Sequence, residues 1–189
     1  KCMGKRNWGR MPQVLERLDR AAGRGIRISF DQYPYDASST TLSMLLPAWA
    51  MEGGVDGFRN CTADADSRGK VLAHLRAAIE RRGGPQSIRI ASAPCADGTF
   101  LAGKDLKAIA EAWKSAAEEA VLRILQETQL SAIAIYHAMS SEDVELAMRH
   151  PLHSVGSDGV LGEHPHPRAY GTFPRIIGHY HARQGLFTL

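Results

Sequence analysis

Apolar positions along the chain follow two periods, and their order predicts alternating helices and strands. Val14, Leu15, Leu18 and Ala22 recur at helical spacing, and Gly23 with Gly25 stop the run. Ile26 to Tyr33 alternates instead, with Ile26, Ile28 and Phe30 on one face and Arg27, Ser29 and Asp31 on the other. That predicts a strand, ended by Pro34. From Pro34 to Gly57 the pattern predicts a long loop holding a short apolar helix around Leu42 to Trp49, and loops of that length commonly carry function.

A helix over Ser67 to Arg82 carries Val71, Leu72, Leu75 and Ile79 and ends at Gly83-Gly84-Pro85. Ser87 to Ser92 predicts a short strand, and Asp105 to Gln129 a helix broken near Lys114 to Ala116. Ala132 to Ala138 predicts an apolar strand. Ser140 to Asp143 predict the cap of a short helix that ends by His150-Pro151. A brief strand over His153 to Ser157 and a last helix over about Phe173 to Arg183 complete the pattern. Repeated strand-then-helix order predicts an α/β protein with parallel strands. The loops after Tyr33 and Ser157 then leave the C-terminal ends of strands, the edge where such folds bind ligands.

Length, composition and charge narrow this picture. One domain is the expectation for 189 residues. A complete (β/α)8 barrel takes about 250 residues, so this chain reads as part of one, truncated at both ends. Hydrophobic residues are 44% and charged ones 23%, which fits a globular domain and excludes disorder. The formal charge of +3 is scattered and too weak to argue for nucleic acid. The longest apolar run, near Leu45 to Met51, falls far short of the roughly 18 residues of a membrane span. No apolar signal-peptide core follows the basic start. Cys2, Cys61 and Cys95 are widely spaced, which predicts reduced thiols in a cytoplasmic protein.

Asp158 is the strongest chemical candidate. In Gly156-Ser157-Asp158-Gly159 it follows a short strand between small residues, where a carboxylate can ligate a divalent metal or accept a proton from a metal-bound water. The same four residues are good turn chemistry, and turn frequencies alone favour the plain turn by about two to one. Arg168 could hold a carboxylate in its two-pronged fork, although one more surface arginine is the simpler reading. His164 and His166 are each followed by proline, and two histidines cannot fill a zinc site, so they read as a rigid loop. His137 ends a strand and could face a pocket or sit satisfied in the core. Tyr33 to Thr41 is dense in hydroxyls, suited to a polar pocket or to capping the next helix.

Three stretches together resemble the N-acyl-D-amino-acid deacylases (D-aminoacylases) of the amidohydrolase superfamily. They are Asp31 to Thr40, Met139 to Val144, and His150-Pro151 followed by Gly156 to Gly159 and the run His166-Pro167-Arg168-Ala169-Tyr170-Gly171-Thr172-Phe173-Pro174-Arg175. The opening Lys1 to Arg10 also resembles the segment after a metal-binding Ser-His-His in that family. The resemblance implies the later strands of a (β/α)8 TIM-like barrel of the metal-dependent hydrolase type. It implies zinc in the intact enzyme, most of its ligands preceding Lys1, and a metal-activated water that attacks the acyl amide. It implies Asp158 as metal ligand and general base, Arg168 as the group that holds the substrate carboxylate, and Tyr33 and Ser38 as substrate contacts. Members of the family also use a strand-six histidine; here no histidine precedes His74, and Tyr33 stands near that strand's exit. The implied partner is a small N-acyl-D-amino acid, with no nucleic acid and no membrane. The alternatives are another amidohydrolase acting on cyclic or linear amides, or a noncatalytic α/β domain that holds a small anion through Asp158 and Arg168.

Overall fold

Helices form where the 3.6-residue pattern is longest. The computed structural model describes residues 2–95, 100–161 and 164–188. In chain order the elements are α1 (Met11–Gly23), β1 (Phe30–Gln32), β2 (Ala37–Thr41), α2 (Gly54–Ala63), α3 (Ala65–Arg81) and β3 (Ile88–Ser92). They continue with α4 (Leu106–Trp113), α5 (Ala117–Glu127), β4 (Ile133–His137), α6 (Ser141–Met148), β5 (His153–Val155) and α7 (Arg168–Arg175), which runs into a π-helical segment, Ile176–His181. The chain is mixed α/β and divides into two compact units. One holds Lys1–Ala37, Ala138–Leu161 and Pro165–Leu189; the other holds Ser38–His137 and Gly162–His164. Among the described residues no helix is long and apolar enough to cross a membrane.

In the first unit β1 and β5 pair in parallel, Phe30 opposite His153 and Gln32 opposite Val155. Two apolar clusters support them. Met11 and Leu15 of α1 pack with Cys2 and Ala147, with Leu18 and Phe30 at the margin. Val144 and Met148 of α6 pack with Ile176, Tyr180 and Leu186. The Asp143 carboxylate accepts from the backbone N–H of Gly9 at 2.8 Å and of Met11 at 3.3 Å, closing donors at the start of α1 that the helix itself leaves open. The strand expected over Ile26 to Tyr33 is thus reduced to three residues, and Ile26 is 55% exposed. Alternation marks residues able to extend, but pairing needs a neighbour, and β5 is itself only three residues long.

The second unit holds a three-stranded sheet in the order β2-β4-β3. Its strands β3 and β4 are antiparallel, Ile88 opposite Tyr136 and Ile90 opposite Ala134. This corrects the expectation of parallel strands throughout. The region Asp105 to Gln129 breaks where expected: Lys114 takes the left-handed conformation (φ 48°) between α4 and α5. Two helical passes in place of one bring the chain back in the opposite sense. Asp64 and Asp105 cap α3 and α4 by accepting the N–H of Ser67 and Ala108, each at 2.9 Å. The loop expected over Pro34 to Gly57 also holds more structure, since Ala37–Thr41 is strand β2 and α2 starts at Gly54. Glycines at 53, 54 and 57 hid that helix, whose buried side chains are Phe58 and Thr62. Tyr136 of β4 is buried and donates its hydroxyl to the Thr41 carbonyl at 3.1 Å, and its burial raises the phenol's pKa.

Candidate functional site

The polar cluster of the first unit is assembled by α7 and by the segments that leave β1 and β5. Helix α7 begins directly after Pro167, whose ring fixes φ near the helical value (−52°). Its first residue, Arg168, is 2% exposed. The guanidinium carbon lies 4.6 Å above the centre of the Tyr33 ring, and Nη1 lies 2.9 Å from Asp158 Oδ2. The helix holds the arginine from its other end as well: Thr172, 1% exposed, donates its hydroxyl to the Arg168 carbonyl at 2.8 Å.

Asp158 sits in a turn with φ 47°, a left-handed conformation that aspartate tolerates better than most residues. Its side chain is 55% exposed, so it is the solvent-facing member of the pair. The next residue is Gly159, and a Cβ there would lie 3.0 Å from the Ala169 Cα, which shows how closely this turn rides on α7. That approach brings Asp158 to the arginine.

Around the pair, Tyr35 and Arg175 complete a stack. The Arg175 guanidinium carbon lies 5.0 Å from the Tyr35 ring centre and 5.4 Å from that of Tyr180, and its Nε donates to the Pro34 carbonyl at 2.8 Å. The Tyr35 hydroxyl reaches α7 at Gly171, where an added Cβ would stand 2.4 Å from it. Burial raises the pKa of that phenol, with Arg175 opposing the shift. His166 is 3% exposed, with its ring centre 6.2 Å from Tyr33 and 5.2 Å from Tyr35.

The structure therefore brings Asp158, Arg168 and Tyr33 together. Ser38 belongs to β2 of the second unit, where its hydroxyl is buried without a hydrogen-bond partner among the described residues. His137 is exposed. His164 belongs to the second unit, with its ring centre 5.6 Å from that of Phe100. Sequence reasoning read His166 as part of a rigid loop and Tyr35 only within a hydroxyl-rich stretch, and it gave Thr172 and Arg175 no role of their own. The signal available was the run His166 to Arg175, in which Arg168, Thr172 and Arg175 recur at helical spacing behind a proline start. Among the described residues no three His, Cys, Asp or Glu side chains come together as a metal site. A zinc site takes three or four ligands, so these residues do not compose one by themselves.

The first unit thus joins a buried arginine to a solvent-facing carboxylate in a mixed α/β chain. The comparisons specify it further. An N-acyl-D-glutamate deacylase of Alcaligenes xylosoxydans xylosoxydans is 32% identical over 191 aligned residues, which take in 100% of this chain and 30% of that protein. A D-aminoacylase of the same organism is also 32% identical, with the same coverage of both chains. The crystal structure of an N-acyl-D-glutamate deacylase from Bordetella bronchiseptica, complexed with zinc and a phosphonate mimic of the tetrahedral intermediate, superposes with a TM-score of 0.72 at 30% identity. It is matched over 100% of this chain and 31% of its own. A D-aminoacylase structure described for its binuclear metal centre gives a TM-score of 0.66 at 32% identity, over 99% of this chain and 31% of its own. No protein-family profile matches the chain. Over its whole length the chain is similar to N-acyl-D-amino-acid deacylases, as a fragment of them: it spans about 30% of the length of the curated relatives it matches.

Proposed function

We propose that this chain forms part of the catalytic domain of an enzyme that hydrolyses N-acyl-D-amino acids to a D-amino acid and a carboxylate. The observation that carries the reading is the 2.9 Å pair of Asp158 and the buried Arg168, within a chain related over its whole length to such deacylases. On this reading residues 1–189 are one portion of a (β/α)8 catalytic barrel. Zinc is the cofactor of the intact enzyme, and Asp158 is the solvent-facing carboxylate that the cluster would offer to it.

The residues of this chain then have distinct tasks. Asp158 accepts a proton from the water that adds to the acyl carbon. It returns that proton to the amide nitrogen as the C–N bond breaks, so that water and amide become carboxylate and amine. Arg168 orients the substrate through its carboxylate, and its position on a helix start packed against Tyr33 limits its freedom to turn away. The Tyr33 ring holds the guanidinium from one face. Ser38 lies in the second unit and is a candidate ligand contact on separate grounds, within that unit alone: it is a buried hydroxyl in need of a hydrogen-bond partner.

The test is an assay of N-acetyl-D-amino acids beside the matching amides that lack the carboxylate, with wild type and Arg168→Lys. Lysine keeps the charge but loses the two-pronged fork. The expected outcome is a larger loss on the carboxylated substrates. An equal loss on both rejects the carboxylate role, and wild-type protein that binds the acids without hydrolysing them favours an anion-binding domain.

A further inference from the structure

Helix α7 has no conventional side-chain cap, since its N-cap residue is Pro167. The N–H groups at a helix start need acceptors outside the helix ladder; Pro167 has none, and the three that remain are all paired. Tyr170 donates to the Pro167 carbonyl at 3.1 Å, and Ala169 donates to the His166 carbonyl at 3.0 Å. The third, the N–H of Arg168, donates to His166 Nδ1 at 3.0 Å. His166 therefore supplies two of the acceptors on which the helix starts. A backbone N–H can only donate, so Nδ1 carries no proton in this arrangement. The same ring lies beside Tyr33, whose own ring supports the Arg168 guanidinium. One buried imidazole thus touches both the backbone and the ring neighbour of the site arginine.

We propose that His166 is a positioning residue: its Nδ1 lone pair fixes the backbone of Arg168, and its ring seats Tyr33, so that the guanidinium is held where a substrate carboxylate is bound. The inference rests on the deacylase reading for the ligand of Arg168, whereas the hydrogen bond stands without it. Acceptor geometry separates this role from simple packing. Asparagine can place its Oδ1 near the position of Nδ1, whereas glutamine reaches toward the position of Nε2, farther from the Arg168 N–H. Only the first replacement keeps the bond.

The experiment compares His166→Asn with His166→Gln in the complete protein, with two readouts. Amide hydrogen exchange at Arg168 is expected to stay slow in wild type and His166→Asn and to accelerate about tenfold or more in His166→Gln, as for loss of one hydrogen bond. Steady-state kinetics on an N-acetyl-D-amino acid are expected to show KM raised about tenfold in His166→Gln and within about threefold of wild type in His166→Asn, with kcat little changed in both. Indistinguishable exchange in the two variants overturns the proposal, as does a loss confined to kcat. If wild type hydrolyses no N-acyl-D-amino acid, the deacylase reading fails, and the exchange comparison alone decides whether His166 fixes Arg168.

Discussion

In the second unit, two buried threonines are satisfied close to home. Thr62 and Thr128 each donate back to a carbonyl four residues earlier in their own helix region, Phe58 and Ile124. Glu118 of α5 takes Arg76 of α3 at 2.8 Å, with the arginine largely in solvent. Most of that interior is apolar, with Leu75, Ile88, Ile90, Leu106 and Ile109 almost fully buried. In the first unit a buried charged group draws its partners from distant positions instead. Arg168 and His166 of one chain segment meet Tyr33 from another, and Arg168 meets Asp158 from a third. Polar burial that closes locally stabilises a fold. Polar burial gathered across the sequence around one charged group costs desolvation that local structure does not repay, and such groups are candidates for functional sites.

The comparison is broken most severely by Asp158→Asn, which keeps the shape and removes the proton acceptor. Turnover of the complete enzyme is expected to fall by about 10²–10⁴ with little change in thermal midpoint, and near-normal turnover would remove Asp158 from the general-base role. Leu75→Ala, in the apolar interior of the other unit, is expected to do the reverse. It should cost about 2–5 kcal/mol in denaturant unfolding and leave KM unchanged.

Gly171→Ala sharpens the role of the Tyr35 contact. The new methyl would meet the tyrosine hydroxyl, so a loss of about 1–3 kcal/mol is expected, and Tyr35→Phe, which removes that oxygen, should recover part of it. A smaller effect is expected from protons. Burial depresses the pKa of His153 below its usual value, although the Gln32 carbonyl and Asp31 oppose the shift. The unfolded chain therefore binds this proton first as pH falls. Stability is full above the ordinary histidine pKa near 6.5 and declines as pH drops below it toward the depressed value. Unfolding titrations of His153→Gln should show a shallower slope over that window. Smallest is the loss of a helix cap, Asp105→Ala, at about 1 kcal/mol by thermal melts, with the site of the other unit unaffected.

Much of the local structure was written in the chain itself. The period of Val71, Leu75 and Ile79 is enough to define α3, and Lys114 falls inside the predicted break because the apolar periodicity lapses there. The run from His166 to Arg175 exposed the resemblance that pointed to Asp158 and Arg168. Local pattern does not set strand direction, however. β3 and β4 run antiparallel because two helices separate them. Nor does it set strand length, which in β1 is limited by the three residues of its partner. The polar cluster belongs to the tertiary structure for the same reason. Tyr33, Asp158 and Arg168 are far apart in sequence, and only the close passage of the turn at Gly159 over Ala169 brings carboxylate to guanidinium. His166 looked like a loop histidine between two prolines; burial and the direction of one N–H make it part of the arginine's support. Side-chain period is a property of neighbours along the chain, whereas the pairing of charges depends on which segments pack together.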